Sequence, residues 1–327
     1  GDYKQISRDG GGSSYIWISP AISGGVSLLD SRGGWGIRQA HVSTSRRQVI
    51  VYRDTVTVVK EEAWSDVSDA RFGEQGGVLT YGAYLRLADL LAAQRPSSNP
   101  PAHDELLFIT IHQVYELWFK LVLFELTDAR DRLLDGDPYL PRLRLDRCRT
   151  IEQVLVRQVD VIDSMTPQDF LAFRNTLAPA SGFQSVQFRE IEFLSGAKDP
   201  HYVRRFRGLT DQERSRLERR LAEPSLWDGF LATLRGAGFE SDTGAQRSAA
   251  YLTIAHDRAR YGALWDLSEA LLDHDQAWSM WRARHVLMAE RQIGTKPGTG
   301  GSAGGAYLRS RLDLRFYPEL WELRSLL

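Results

Sequence analysis

Near residue 79 the chain changes texture, and that change restricts the folds open to it more than any other feature. From Leu79 onward the sequence is leucine-rich, its apolar residues recur at helical spacing, and β-branched runs are few. Tyr84, Leu87, Ala88 and Leu91 fall at i, i+3, i+4 and i+7, which predicts a helix over 81–94 closed by Pro96, Pro100 and Pro101. His103-Asp104-Glu105 opens a long amphipathic segment to Leu134 with acidic residues where they suit the helix dipole, and Gly136-Asp137-Pro138 ends it. The same periodicity predicts helices over 141–164, 167–177, 187–195, 210–222, 225–236, 247–273 and 276–292. The expected fold is therefore all-α: one long-helix bundle over 78–327.

Residues 1–77 differ. They hold 12 of the 28 glycines and only two leucines, Leu28 and Leu29, in a Ser/Gly/Arg-rich stretch that reads as an irregular N-terminal arm. Within it 47–52 and 54–60 are short and β-branched, compatible with one local hairpin. The 327 residues suffice for one large domain or two ordinary ones, and so for a sizeable buried pocket. With 41 Lys+Arg against 42 Asp+Glu the chain has no basic field to gather nucleic acid or anionic membrane, which leaves small molecules as the expected partners. The single cysteine, Cys148, can form neither an internal disulfide nor a multi-thiolate metal site, and a reducing compartment fits it best. No run of about 18 apolar residues and no basic-then-apolar leader is visible, so the expected location is cytoplasmic.

Several residues could carry chemistry. The seven histidines show no HExxH or HxH spacing, which argues against a metal centre built from protein ligands alone. His112 follows Phe108 by four residues on an apolar helical face, so both project into the interior. It reads either as a buried histidine bonded to a backbone carbonyl or as a ligand-facing imidazole. His285, between Trp281 and Met288, has an apolar setting suited to one bond to haem iron, although ordinary core histidines share it. Arg174 ends an apolar helical run before a Pro-Ala-Ser-Gly turn, where it can clamp a carboxylate with its planar fork or form a helix-end salt bridge. The glycine-rich stretch 298–305 lacks the Lys-Ser/Thr of a phosphate loop and reads as a surface linker or a lid with Thr299 as its early hydroxyl. Trp278, Trp281 and Trp321 read as core packing.

Taken together, certain blocks resemble the tryptophan 2,3-dioxygenase family, haem enzymes of the histidine-ligated haem-dependent aromatic oxygenase superfamily. They are Leu79-Thr80-Tyr81-Gly82-Ala83-Tyr84-Leu85, His103 to Lys120, Asp169-Phe170-Leu171-Ala172-Phe173-Arg174, Pro179 to Arg189, Trp281-Arg282-Ala283-Arg284-His285 and Ile293 to Ser302. The likeness runs in order from about 78 to 327. It implies one haem b per subunit, with His285 as axial iron ligand and Ser181, Gly182 and Trp281 beside the cofactor. It also implies His112 over the indole N–H of L-tryptophan or a close analogue, with Phe108, Phe170 and Leu177 lining the pocket. Arg174 and Thr299 would hold the amino-acid end. Tyr81 and Tyr84 would reach a neighbouring subunit's site in a homotetramer built as a dimer of dimers, to whose contacts the arm could add. The implied reaction takes O2 as co-substrate and gives N-formyl-L-kynurenine, in tryptophan catabolism by the kynurenine pathway. The alternative carried by the superfamily is a haem monooxygenase of tryptophan or a methylated tryptophan, giving an oxindole or hydroxylated product in natural-product biosynthesis.

Overall fold

The computed structural model describes residues 79–206 and 208–327 and, before them, the backbone of six short strands. The chain divides into two units, Gly1–Leu85 and Arg86–Leu327. In the first, β1 (Lys4–Ile6), β2 (Ser14–Ile16), β3 (Val26–Leu29) and β4 (Trp35–Arg38) form an antiparallel sheet in sequence order. β5 (Arg47–Tyr52) pairs antiparallel with β6 (Thr55–Lys60), placing Tyr52 opposite Thr55. The rest of the expected irregular arm lies outside the described residues.

The second unit is helical and contains no strand among its described residues. Its frame is three long helices: α3 (Glu105–Leu134), α4 (Tyr139–Ile162) and α11 (Arg258–Ile293). A four-residue connection folds α3 back on α4, and α11 packs along α4. α5 (Pro167–Leu177), α6 (Val186–Ser195) and α9 (Leu226–Gly236) complete the bundle, α6 and α9 packing on α3. Val122, Leu126, Ala129 and Leu133 recur along one face of α3 and are fully buried against Cys148, Leu155, Leu194, Phe230 and Trp278. Among the described residues, α3 is the one helix long and apolar enough to cross a membrane. In this fold its apolar face is the centre of the core.

Three boundaries differ from those the periodicity predicts, each for a local reason. The helix expected over 81–94 is two, α1 (Tyr81–Tyr84) and α2 (Leu87–Leu91), because Arg86 between them takes a left-handed conformation with φ 52°. The segments expected over 247–273 and 276–292 break elsewhere: α10 (Gly244–His256) ends at Asp257, whose side chain accepts from the Arg260 N–H and caps α11. No break falls at 274–275, since both members of the buried polar pair there are hydrogen-bonded, His274 through both ring nitrogens and Asp275 through Oδ2. His274 lies between Glu152 Oε1 at 2.6 Å and Ser195 Oγ at 2.8 Å. Asp275 Oδ2 accepts from the Phe316 N–H, the Tyr317 N–H and the Trp321 indole N–H, pinning the C-terminal segment to α11. Short helices α7 (Pro200–Arg205), α12 (Gly305–Arg309) and α13 (Pro318–Glu322) were not expected, and α8 (Asp211–Ala222) was.

Asp275→Ala would orphan those three donors inside the core, each an unsatisfied group costing about 1 kcal/mol or more. The thermal midpoint is expected to fall by about 10 °C, given some 2–4 °C per kcal/mol for a domain of this size. A midpoint unchanged in calorimetry would show that the C-terminal segment is held by packing instead.

Candidate functional site

One cavity of about 290 Å³ opens where α3, α5, α6 and α11 converge. α3 brings Phe108 and His112 one turn apart, with Phe108 sitting 4.1 Å from the histidine ring and 5.7 Å, stacked, from Phe170. The His112 Nδ1 lies 2.7 Å from the Phe108 carbonyl. A carbonyl only accepts, so Nδ1 carries the proton, and the neutral ring keeps Nε2 as an acceptor. Burial lowers the His112 pKa, against the opposing pull of that carbonyl bond and the Glu116 carboxylate.

α11 supplies the other histidine. Desolvation inside the fold holds His285 neutral, lowering its pKa to about 4, with His112 a lesser cause in the same direction. The Trp281 ring lies parallel to His285 at 4.9 Å and 8°, an i, i+4 pairing on the helix. Among the described residues neither His285 nitrogen has a hydrogen-bond partner, and the ring faces the cavity.

α5 presents Arg174 from its last turn. One guanidinium nitrogen donates to the Pro297 carbonyl, while the buried Nε has no partner. The 294–304 segment lies over this side. Its Thr299 hydroxyl donates to the Ala180 carbonyl at 2.6 Å, and Ser181 caps the short turn Gly182–Gln184 below it. Gly304, at φ +59°, is required here: a Cβ would stand 2.5 Å from the Lys296 carbonyl oxygen.

Phe108, His112, Phe170, Arg174, Ser181, Gly182, Trp281, His285 and Thr299, separated by up to 191 positions in sequence, thus line one cavity. Leu177 does not line it; it packs in the apolar cluster of Phe108, Phe170 and Phe173 beside the wall. Tyr81 and Tyr84 belong to the N-terminal unit and are 76% and 71% exposed. Sequence reasoning passed over Arg189, Glu192, Arg282 and Arg311, which also line the cavity. The one available signal was Arg282, three residues before His285 on the same helix.

The tryptophan 2,3-dioxygenase family profile matches residues 65–243 and 239–327. The chain belongs to that family. It is 62% identical over 258 residues to the tryptophan 2,3-dioxygenase of Nocardioides sp., covering 78% of this chain and 97% of that protein. The tryptophan 2,3-dioxygenase of Herpetosiphon aurantiacus is 47% identical over 257 residues, and that of Anaeromyxobacter dehalogenans 45% over 258, each covering 76% of this chain. The 98% and 96% of those proteins so covered leave little of the family's length without a counterpart here.

The residues present fit a haem. Two neutral histidines on different helices face one cavity between largely apolar walls, and a cationic edge with unpartnered buried Nε atoms on Arg189 and Arg282 borders it. Among the described residues no three of His, Cys, Asp and Glu gather to hold a bare metal ion, so iron would come with its own four nitrogens.

Proposed function

We propose that this protein is a haem-dependent dioxygenase that inserts both atoms of O2 across the indole C2–C3 bond of L-tryptophan, giving N-formyl-L-kynurenine. The observation that carries the reading is the meeting of His112, His285 and Arg174 in one largely apolar cavity of a chain belonging to this family. His285 would be the axial iron ligand of one haem b per subunit, with Trp281, Ser181 and Gly182 beside it. Bound haem supplies the iron centre at which O2 is activated.

The chain's own residues do the rest by placement. His112 Nε2, aimed by the bond from Nδ1 to the Phe108 carbonyl, accepts from an indole N–H and orients the ring. It acts as an orienter rather than a base, because an indole N–H is far too weak an acid to be removed at neutral pH. Phe108 and Phe170 give the ring an apolar wall. The unpartnered Arg174 Nε, with its neighbouring nitrogens, is a ready fork for the substrate carboxylate, and Thr299 closes the amino-acid end. Holding ring and zwitterion together fixes the reacting carbons, an advantage that can reach several kcal/mol. The lid excludes water.

The assembly is proposed as a homotetramer, a dimer of dimers, in which Tyr81 and Tyr84 complete a neighbour's site. Leu106, Leu117, Leu121 and Phe124 support an interface, forming an exposed apolar stripe on the face of α3 opposite its core. Cys148 is buried and free, in keeping with the cytoplasm.

Mass spectrometry of the tryptophan product under labelled O2, with reduced protein and no other reductant, tests the reaction. Two labelled oxygens in a ring-opened product are expected. A single oxygen, with demand for external electrons, would establish the monooxygenase alternative. Gly304→Ala, which forces the lid backbone off the Lys296 carbonyl, is expected to raise KM for tryptophan about tenfold while the haem spectrum stays normal; an unchanged KM would mean the lid does not close on substrate.

A further inference from the structure

Beside the histidines, one wall of the cavity carries more positive charge than the fold itself uses. Arg189 on α6 and Arg282 on α11 are 5% and 4% exposed, and they share a single carboxylate, Glu192, itself 2% exposed. Glu192 Oε2 accepts from Arg189, and Oε1 lies 3.3 Å from Arg282 Nη2. Their other direct contacts are with neutral groups: Arg189 lies 3.6 Å over the Tyr202 ring, and Arg282 donates to the Leu314 carbonyl and sits over Phe316. Each keeps a buried Nε without a partner.

Arg311, just beyond α12, is half-buried and lines the same cavity. Its side chain makes no hydrogen bond or ion pair among the described residues. It stands near enough to Arg282 to oppose that residue's charge. Asp275, the other buried acid near Arg282, is committed to the C-terminal segment through three donors. Two buried guanidinium groups therefore share one carboxylate with a third, half-buried, beside them, an arrangement that holds cations without an equal number of anions and costs stability unless a further anion arrives.

Arg174 and Thr299 belong to the lid side of the cavity, so the substrate carboxylate has its own fork. We propose that Arg311, with Arg189 and Arg282 braced by Glu192, receives the carboxylate side chains of the porphyrin whose iron His285 binds. Arg282 precedes His285 by three residues on α11, so axial ligand and carboxylate anchor stand on neighbouring turns of one helix and would fix the macrocycle both at its centre and at its edge. Arg311 is the member to test, because its side chain has no hydrogen bond or ion pair among the described residues.

This rests on the haem reading above, and the experiment separates the two. Full-length protein is loaded with iron protoporphyrin or with its dimethyl ester, and transfer of each to excess apomyoglobin is followed in wild type, Arg311→Met and Arg311→Lys. Wild type is expected to release the ester about tenfold or more faster than the free acid, the size expected for a hydrogen bond between charged groups. Arg311→Met is expected to release the free acid about tenfold faster than wild type does, with little change for the ester, and Arg311→Lys to recover part of the difference. Equal preference for the free acid in wild type and Arg311→Met, both with a normal Soret band, overturns the arginine assignment alone. Failure of wild type to form a Soret band with either porphyrin overturns the haem reading and this inference with it.

Discussion

His285→Ala is expected to give a folded protein that takes up no haem, shows no Soret band and has no turnover with tryptophan. The side chain faces a cavity, so its removal deletes few packing contacts and the bundle should keep its thermal midpoint within a few degrees. What is lost is a cavity-facing imidazole neither of whose nitrogens has a partner among the described residues. His112 provides the control. It also lines the cavity, but its Nδ1–H is spent on the Phe108 carbonyl and its ring is fixed 4.1 Å from Phe108. A hydrogen bond of that kind is common in histidines that bind metals, so the paired variants carry the decision. His112→Ala is expected to keep the band and lose much of its rate; added imidazole should restore the band to His285→Ala. A normal band in His285→Ala, with its loss in His112→Ala, would exchange the two roles.

How much of this site was legible beforehand follows from which signals are local. The lengths of α3, α5 and α6 follow from apolar spacing and end signals within a few residues of each helix. That spacing also places Phe108 and His112 on one face. Convergence is not a local property. Nothing near His285 says that it faces the helix bearing His112, 173 positions earlier in sequence; only the ordered family resemblance put them together. Polar residues misled in both directions. His274-Asp275 looks like an interruption of a helix, yet α11 runs straight through because Glu152 and Ser195 bond His274 and the C-terminal segment bonds Asp275 Oδ2. Nothing local marks Arg189, Glu192 or Arg311 for the interior, since a charge that will be buried has no signature until its partners are known. Leu177, expected in the pocket wall, packs in the apolar cluster of Phe108, Phe170 and Phe173 next to it.

Arg174→Met gives the second large effect, and its size follows from two bonds broken together. The Arg174 guanidinium donates to Pro297 in the lid and keeps a buried, unpartnered Nε. A carboxylate that accepts there would be held by charge-assisted bonds worth about 1.5–3 kcal/mol. Methionine keeps the stem volume and removes the charge, so KM for tryptophan is expected to rise about 100-fold, near the upper end of that range, while the haem spectrum is unchanged. Arg174→Lys should recover only part of this, because a point charge cannot form a planar fork. The informative comparison is tryptamine, which has the indole and ammonium but no carboxylate. Loss of the lid tie alone would weaken both ligands alike. Loss of the carboxylate fork weakens tryptophan only, so the binding preference for tryptophan over tryptamine should collapse in Arg174→Met. If that preference survives, the carboxylate is held elsewhere and Arg174 serves the lid alone.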